Sequence, residues 1–157
     1  MFTMIELDAI DHRLLELLQA DASLSNQALA ERAHTSPATA LRRVRRLVES
    51  GVIERQVALL SPARFGGLTA IVEVMLDRQG AEQVAAFESR AVAEAAVQQC
   101  YRVSPGPDLV LVVWLPDMAA YHALVQRLFT QDANVRNVKS FFVSQRAKFA
   151  PALSTLA

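Results

Sequence analysis

The sequence predicts an α+β chain in two parts, a helical N-terminal region and a C-terminal region in which strands and helices alternate. Three observations carry the prediction. Up to Gly51 apolar residues recur at the helical period, and each run opens on a residue suited to capping. From Leu68 the pattern changes to β-branched and apolar runs of strand length. Between the two, after Ser61-Pro62, the segment Ala63 to Gly67 follows neither period. The division that results is residues 1–62, a helical domain; 63–67, a linker; 68–149, a strand-and-helix domain; and 150–157, a loose tail.

The 157 residues suit one ordinary domain or two small ones, and 52% of them are apolar, enough to build cores. No apolar run reaches the roughly 18 residues that cross a bilayer. The opening Met1-Phe2-Thr3-Met4-Ile5-Glu6 is not a signal peptide. A single cysteine, Cys100, excludes an internal disulfide framework and fits a reducing compartment, where it reads as a buried, inert thiol. These features predict a soluble cytoplasmic protein without membrane contact.

In the first region Asp8 is placed to cap a helix running from Ala9 to about Ala20, with Asp11 completing a capping box. Ile10, Leu14, Leu17 and Leu18 form its apolar stripe. Ser25 caps a second, short helix, and Leu24 staples onto Leu29. His34 stands in the turn, as a residue that tolerates positive φ. Ser36 caps a third helix with Pro37 at its first position, and Gly51 suits a left-handed stop after Glu49. Helix, short turn, helix at this spacing is the helix-turn-helix pattern.

The third helix, wound at 100° per residue, gathers Ala40, Leu41, Val44, Leu47 and Val48 on one side. Ala38, Thr39, Arg42, Arg45 and Arg46 gather on the other, with Arg43 on the flank. Charge follows the same division. Residues 1–35 carry two arginines against six acids, whereas residues 36–64 carry six arginines against two acids, within a chain of zero net charge. A local basic stripe of this kind suits nucleic acid. Small residues in the first turn let the helix approach base edges in a major groove, and arginines reach phosphates or guanine. Ser36, Ala38, Thr39, Arg42, Arg43, Arg45 and Arg46 are therefore the candidate DNA-binding residues.

The second region begins with a strand, Leu68 to Leu76, and a helix after Gly80 to about Ala95 with Val84, Phe87 and Ala91 inward. Strands follow at Val97 to Val103 and Leu109 to Leu115. Asp117 caps a helix that turns Met118, Tyr121, Leu124, Val125, Leu128 and Phe129 inward, and a strand from Val135 to Val143 closes the domain. The order βαββαβ is the ferredoxin-like arrangement, an antiparallel sheet with helices on one side. Its open face, with Trp114, Phe141 and Phe142, is expected to be buried in a dimer. Between the middle strands, Pro105 and Gly106 suit the centre of a type II turn.

The stretch "SPATALRRVRRLVESGVIERQVALLSP" resembles the DNA-binding half of the leucine-responsive regulator/AsnC (Lrp/AsnC, feast/famine) transcription factors. The leading "LDAIDHRLLELLQADASLSNQALAERAHTSP" is similar to the same family in its Leu-Asp-x-x-Asp opening and helix spacing. "QQCYRVSPGPDLVLVVWLPDMAAYHALV" resembles its C-terminal module, so that the likeness spans about residues 5–149. The resemblance implies a winged-helix-like helix-turn-helix domain followed by a ferredoxin-like effector and dimerisation domain. It also implies a sequence-specific regulator on double-stranded DNA with a pseudo-palindromic operator. The same resemblance implies a homodimer formed through the sheets, a capacity for further assembly to tetramers or octamers, and a small effector, typically an amino acid, bound between subunits.

The resemblance places effector-binding candidates at Arg102, Ser104, Gly106, Asp108 and Phe142. In the family the loop between the middle strands carries a glycine-x-aromatic-aspartate signature. Here Asp108 matches the aspartate, Pro105 stands at the glycine, Gly106 comes one place late and Pro107 replaces the aromatic. Proline donates no N–H, so two donors for an effector carboxylate are missing, with Arg102 as a replacement charge. An altered or absent effector response is the expectation.

Two alternatives stay open. The family includes low-specificity, DNA-organising proteins, and siroheme decarboxylases resemble it in fold, so that architecture alone does not exclude catalysis. The sequence itself offers no catalytic, metal or cofactor signal: His122 is the sole histidine of the C-terminal half, on a helix flank. No paired His/Cys ligand spacing, nucleophile elbow or glycine-rich phosphate loop occurs. The reading is a non-enzyme.

Overall fold

The computed structural model describes residues 5–155. Residues 1–4, part of the segment read as no signal peptide, and residues 156–157 lie outside the described residues. The chain divides into two units, Met1–Leu59 with Lys148–Ala157, and Leu60–Ala147.

In the first unit, α1 (Ala9–Ala20) opens on the expected capping box: Asp8 accepts from the backbone of Ile10 and Asp11, and Asp11 accepts from the backbone N–H of Asp8. Ser25 caps α2 (Asn26–Arg32), and Ser36 caps α3 (Pro37–Glu49) with Pro37 in its first turn. His34 takes φ +56° in the turn, as its tolerance of that region allows. Leu14, Leu29, Ala30, Ala33 and Ala40 form the core, flanked by Ile10, Leu17, Leu18, Leu24 and Val44.

The buried stripe of α3 is narrower than expected. Ala40 and Leu47 are buried, whereas Leu41 and Val48 are about half exposed. On the helical wheel Ala40, Val44 and Leu47 fall within about 60°, while Leu41 and Val48 lie roughly 80–100° from Ala40. Two short neighbouring helices cover only the narrower arc. After Glu49, Gly51 (φ +77°) ends the helix, and residues 54–61 carry no paired strand. Residues 150–155 have no regular structure, yet they are not loose: Leu153 N donates to Gln19 Oε1 at 2.7 Å, and Gln19 Nε2 donates to Leu153 O at 3.0 Å.

The second unit starts with a single helical turn, α4 (Pro62–Phe65), within the segment expected to be irregular. Then come β1 (Leu68–Leu76), α5 (Ala81–Ala93), β2 (Val97–Arg102), β3 (Leu109–Leu115), α6 (Met118–Val125) with a π-helical turn (Gln126–Thr130), and β4 (Val135–Phe142). The antiparallel sheet has the order β2-β3-β1-β4, with β1 and β3 central. Ala70, Val72, Val74 and Leu76 alternate inward from β1, as do Leu109, Leu111, Val113 and Leu115 from β3, against Phe87, Tyr121, Leu124, Leu128 and Phe129. Met118 is exposed rather than inward. It is the first helical residue, and helical side chains lean toward the N-terminus, here past the end of the element.

Gly67 (φ +83°) is required where it stands. A Cβ there would lie 2.6 Å from Leu115 O and 2.9 Å from Trp114 Cζ2.

Strand parity separates the two phenylalanines of β4. Phe141 pairs with Ile71, whose side chain is exposed, while Phe142 pairs with the buried Ala70. Successive strand residues point to opposite faces, so only Phe141 joins Ile71, Trp114 and Tyr101 on the open face. Phe142 faces the helices and meets the Tyr121 ring edge-on at 5.0 Å. The expectation that both aromatics line the open face is corrected on this ground.

Candidate DNA-binding interface and effector loop

Local capping and a few cross-helix polar contacts set the presentation of α3. Ser36 Oγ accepts from Thr39 N at 3.2 Å and donates to Thr39 Oγ1 at 2.9 Å, which holds the first turn closed and orients the Thr39 hydroxyl. Asn26 Nδ2 donates to Pro37 O at 2.8 Å, tying the start of α2 to the start of α3. Arg13 Nη1 donates to Ala33 O at 3.2 Å, satisfying a carbonyl at the end of α2. Ala38 is exposed and Thr39 half-buried in that first turn.

The four arginines of α3 divide into two kinds. Arg42 and Arg45 are exposed and make no ion pair or hydrogen bond among the described residues. Arg43 Nη1 sits 2.6 Å from Asp8 Oδ2 and 3.0 Å from Asp11 Oδ1, and its side chain is only 18% exposed. Arg46 Nη2 lies 2.5 Å from Asp11 Oδ2. Asp11 is 1% exposed, the one buried charged side chain among the described residues. The hydrogen bond from Arg43, then those from backbone N–H groups, hold the Asp8 carboxyl at about 2, below its ordinary 3.8. The same carboxylates raise the Arg43 guanidinium above its usual range.

Sequence reasoning marked Asp8 and Asp11 as caps and missed their pairing with α3. A signal was present: an acidic segment, residues 1–35, adjoins a basic one from residue 36 onward within one small domain.

The effector candidates are placed less favourably. Val103 N donates to Asp108 O, which closes the β2–β3 connection, and Gly106 takes φ +124°. No hydrogen-bonded type II turn centres on Pro105 and Gly106, because Pro107 has no N–H to return to Ser104. Asp108 accepts from Leu76 N at 2.7 Å, and its own N–H donates to Val74 O at 2.9 Å, so it extends the pairing of β1 with β3. Arg102 pairs with Glu88 through its Nε and Nη2 atoms. Ser104 and Gly106 are exposed. Within one chain Phe142 is not brought to this loop. Leu109, beside the loop, pairs with Val74, and Phe142 pairs with Ala70, four residues or roughly 13 Å along β1.

A capped cationic helix on a helix-turn-helix, joined in one chain to a βαββαβ module, defines a DNA-binding regulator carrying a separate ligand-binding domain. Residues 7–54 match the "Winged helix-turn-helix DNA-binding" family profile, and residues 69–153 match the "Lrp/AsnC ligand binding domain" profile. The chain belongs to the Lrp/AsnC family of transcriptional regulators. It is 36% identical over 153 residues to the Bkd operon transcriptional regulator of Pseudomonas aeruginosa, covering 96% of this chain and 100% of that one. It is 33% identical to the leucine-responsive regulatory protein of Klebsiella pneumoniae, over 91% of this chain and 88% of that one. A transcriptional regulator of Neisseria meningitidis, solved as a complex with L-Met, has a TM-score of 0.85 at 29% identity, over 94% of this chain and 96% of that one. Among the described residues no helix is long and apolar enough to cross a membrane.

Proposed function

We propose that this regulator acts in the cytoplasm as a homodimer, joined through the open faces of its sheets, that sets two α3 helices on a pseudo-palindromic operator. The observation that carries the DNA-binding part is the exposed face of α3, where Arg42 and Arg45 flank a first turn of small residues. Arg42 and Arg45 hold phosphates, and Ala38 and Thr39 meet base edges. Support for the dimer is the apolar face built by Ile71, Val112, Trp114 and Phe141, with Phe141 52% and Ile71 40% exposed. A patch of this composition on a soluble chain marks an interaction surface.

Titration of variants against operator and scrambled duplexes tests the DNA-binding part. Arg42→Ala and Arg45→Ala weaken binding to both duplexes alike and flatten the salt dependence, whereas substitutions at Ala38 or Thr39 change the preference between them. Equal losses on both duplexes from a Thr39 substitution would remove it from base readout. Sedimentation of Phe141→Glu tests the dimer: the variant is expected to be monomeric, and an unaltered dimer overturns the sheet interface.

We infer further that the effector response departs from that of an ordinary amino-acid sensor. Pro105 and Pro107 supply no backbone donors, Asp108 is occupied by Leu76 N, and Arg102 is occupied by Glu88. A thermal-shift screen with the twenty amino acids tests this, since a ligand that binds the folded state raises its apparent stability. Stabilisation by L-Met or another common amino acid at micromolar concentration would sink the idea.

A further inference from the structure

We infer that Asp11 is a positioning residue that limits the protein's electrostatic grip on DNA: it occupies Arg46 as a DNA phosphate would, and so keeps that cation from adding sequence-independent affinity. The inference rests on the DNA-binding reading above and deepens it. Asp11 lies at the third helical position of α1, buried against α3. One of its oxygens accepts from Arg43 Nη1 at 3.0 Å; the other accepts from Arg46 Nη2 at 2.5 Å and from Asp8 N at 3.2 Å. Arg43 is held by two carboxylates and is largely covered, so it stays fixed by Asp8 whatever happens at Asp11. Arg46 has a single carboxylate partner and is 46% exposed. It is the cation that Asp11 alone withholds.

Physical chemistry gives this arrangement a consequence beyond stability. Non-specific DNA affinity grows with the number of phosphates neutralised, and each contact adds about 0.9 to the slope of log affinity against log salt. Base contacts on α3 do not depend on that number. Withholding Arg46 therefore lowers the affinity for any sequence, arbitrary or operator, by the same factor and makes the salt dependence shallower, leaving the base contacts a larger share of the binding energy. A network serving only to hold α1 against α3 would lower stability when cut and add nothing to DNA binding.

The test is binding of full-length Asp11→Asn, Arg46→Gln and the double variant to a scrambled duplex across a salt series, with folding followed by circular dichroism. Asp11→Asn is expected to bind scrambled DNA about eightfold more tightly near 0.1 M salt, with a slope steeper by about 0.9. Arg46→Gln alone leaves affinity and slope unchanged, and the double variant returns to the values of the unaltered protein. Because the double variant carries the same loss at Asp11, it separates a released cation from structural damage. Should Asp11→Asn fail to fold, the Arg46→Gln arm decides: a slope flattened by about 0.9 means Arg46 already sits on phosphate and overturns the inference. An unchanged slope in a folded Asp11→Asn protein overturns it as well. Failure of the unaltered protein to bind any duplex would instead bring down the DNA-binding reading itself.

Discussion

Replacing Asp108 by alanine removes the acceptor of the Leu76 backbone N–H, a donor carried by a residue that is 1% exposed. A hydrogen bond to a charged acceptor contributes about 1.5–3 kcal/mol, and leaving a buried donor unsatisfied costs a similar amount. Asp108 is half-buried, so solvent screening favours the lower end, about 1.5–2 kcal/mol. For a domain of this size that lowers Tm by on the order of 10 °C. Trp114 is the only tryptophan and lies in β3 of the same unit, so its fluorescence follows this transition alone. Asp108→Asn keeps an amide oxygen that can accept, and should lose roughly half as much, since charge-assisted bonds are about twice as strong as neutral ones. Exchange of the Leu76 amide hydrogen should accelerate in the alanine variant. If Asp108→Ala leaves both the Trp114 transition and that amide untouched, the carboxylate is not holding β1, and the ligand role suggested by the family signature regains its place.

Three further expectations follow from the geometry. Leu47→Ala empties a fully buried site in α3 and should destabilise the helical unit by about 2–5 kcal/mol, read by urea unfolding of its helical signal. Gly67→Ala combines a left-handed backbone with overlap on Leu115 O and Trp114, and should cost roughly 2–4 kcal/mol, visible in the Trp114 transition. The folded-state pKa of Asp8 lies below its ordinary value, so its contribution to stability is present above about 3.8 and is lost as pH falls toward about 2. Acid unfolding followed by circular dichroism should therefore be less steep over that window for Asp8→Asn than for the unaltered protein; parallel profiles would count against the Arg43 contact.

Legibility differed by the range of the cause. Asp8, Ser25, Ser36 and Asp117 announce their helices because a cap acts within three residues, and all four accept the backbone hydrogen bonds expected of them. The central strands were legible for the same reason, since alternation along β1 and β3 is written in consecutive residues. The errors arose where a second element decides. How much of the α3 stripe is covered depends on the width of α1 and α2, which put Leu41 and Val48 in solvent. Which face Phe142 takes depends on register with Ala70. That Asp108 bonds to Leu76, and Arg46 to Asp11, depends on pairs 32 and 35 residues apart, for which the local pattern holds no instruction. The site was thus readable as a set of residue types and not as a division between free and occupied charges.

The return of the last residues to the helical unit, fixed by the paired hydrogen bonds of Gln19 with Leu153, bears on how the protein is labelled. The chain passes between its two units twice, so after a protease nick in the segment following Leu59 the N-terminal fragment keeps a non-covalent hold on the rest of the chain, through the hydrogen bonds of Gln19 with Leu153. A dye or affinity tag attached at Leu153 sits with the DNA-binding unit, although Leu153 follows the strands of the second unit in sequence. Such a tag would report on the helices, and one bulky enough to displace Leu153 would perturb the very unit it was meant to leave alone.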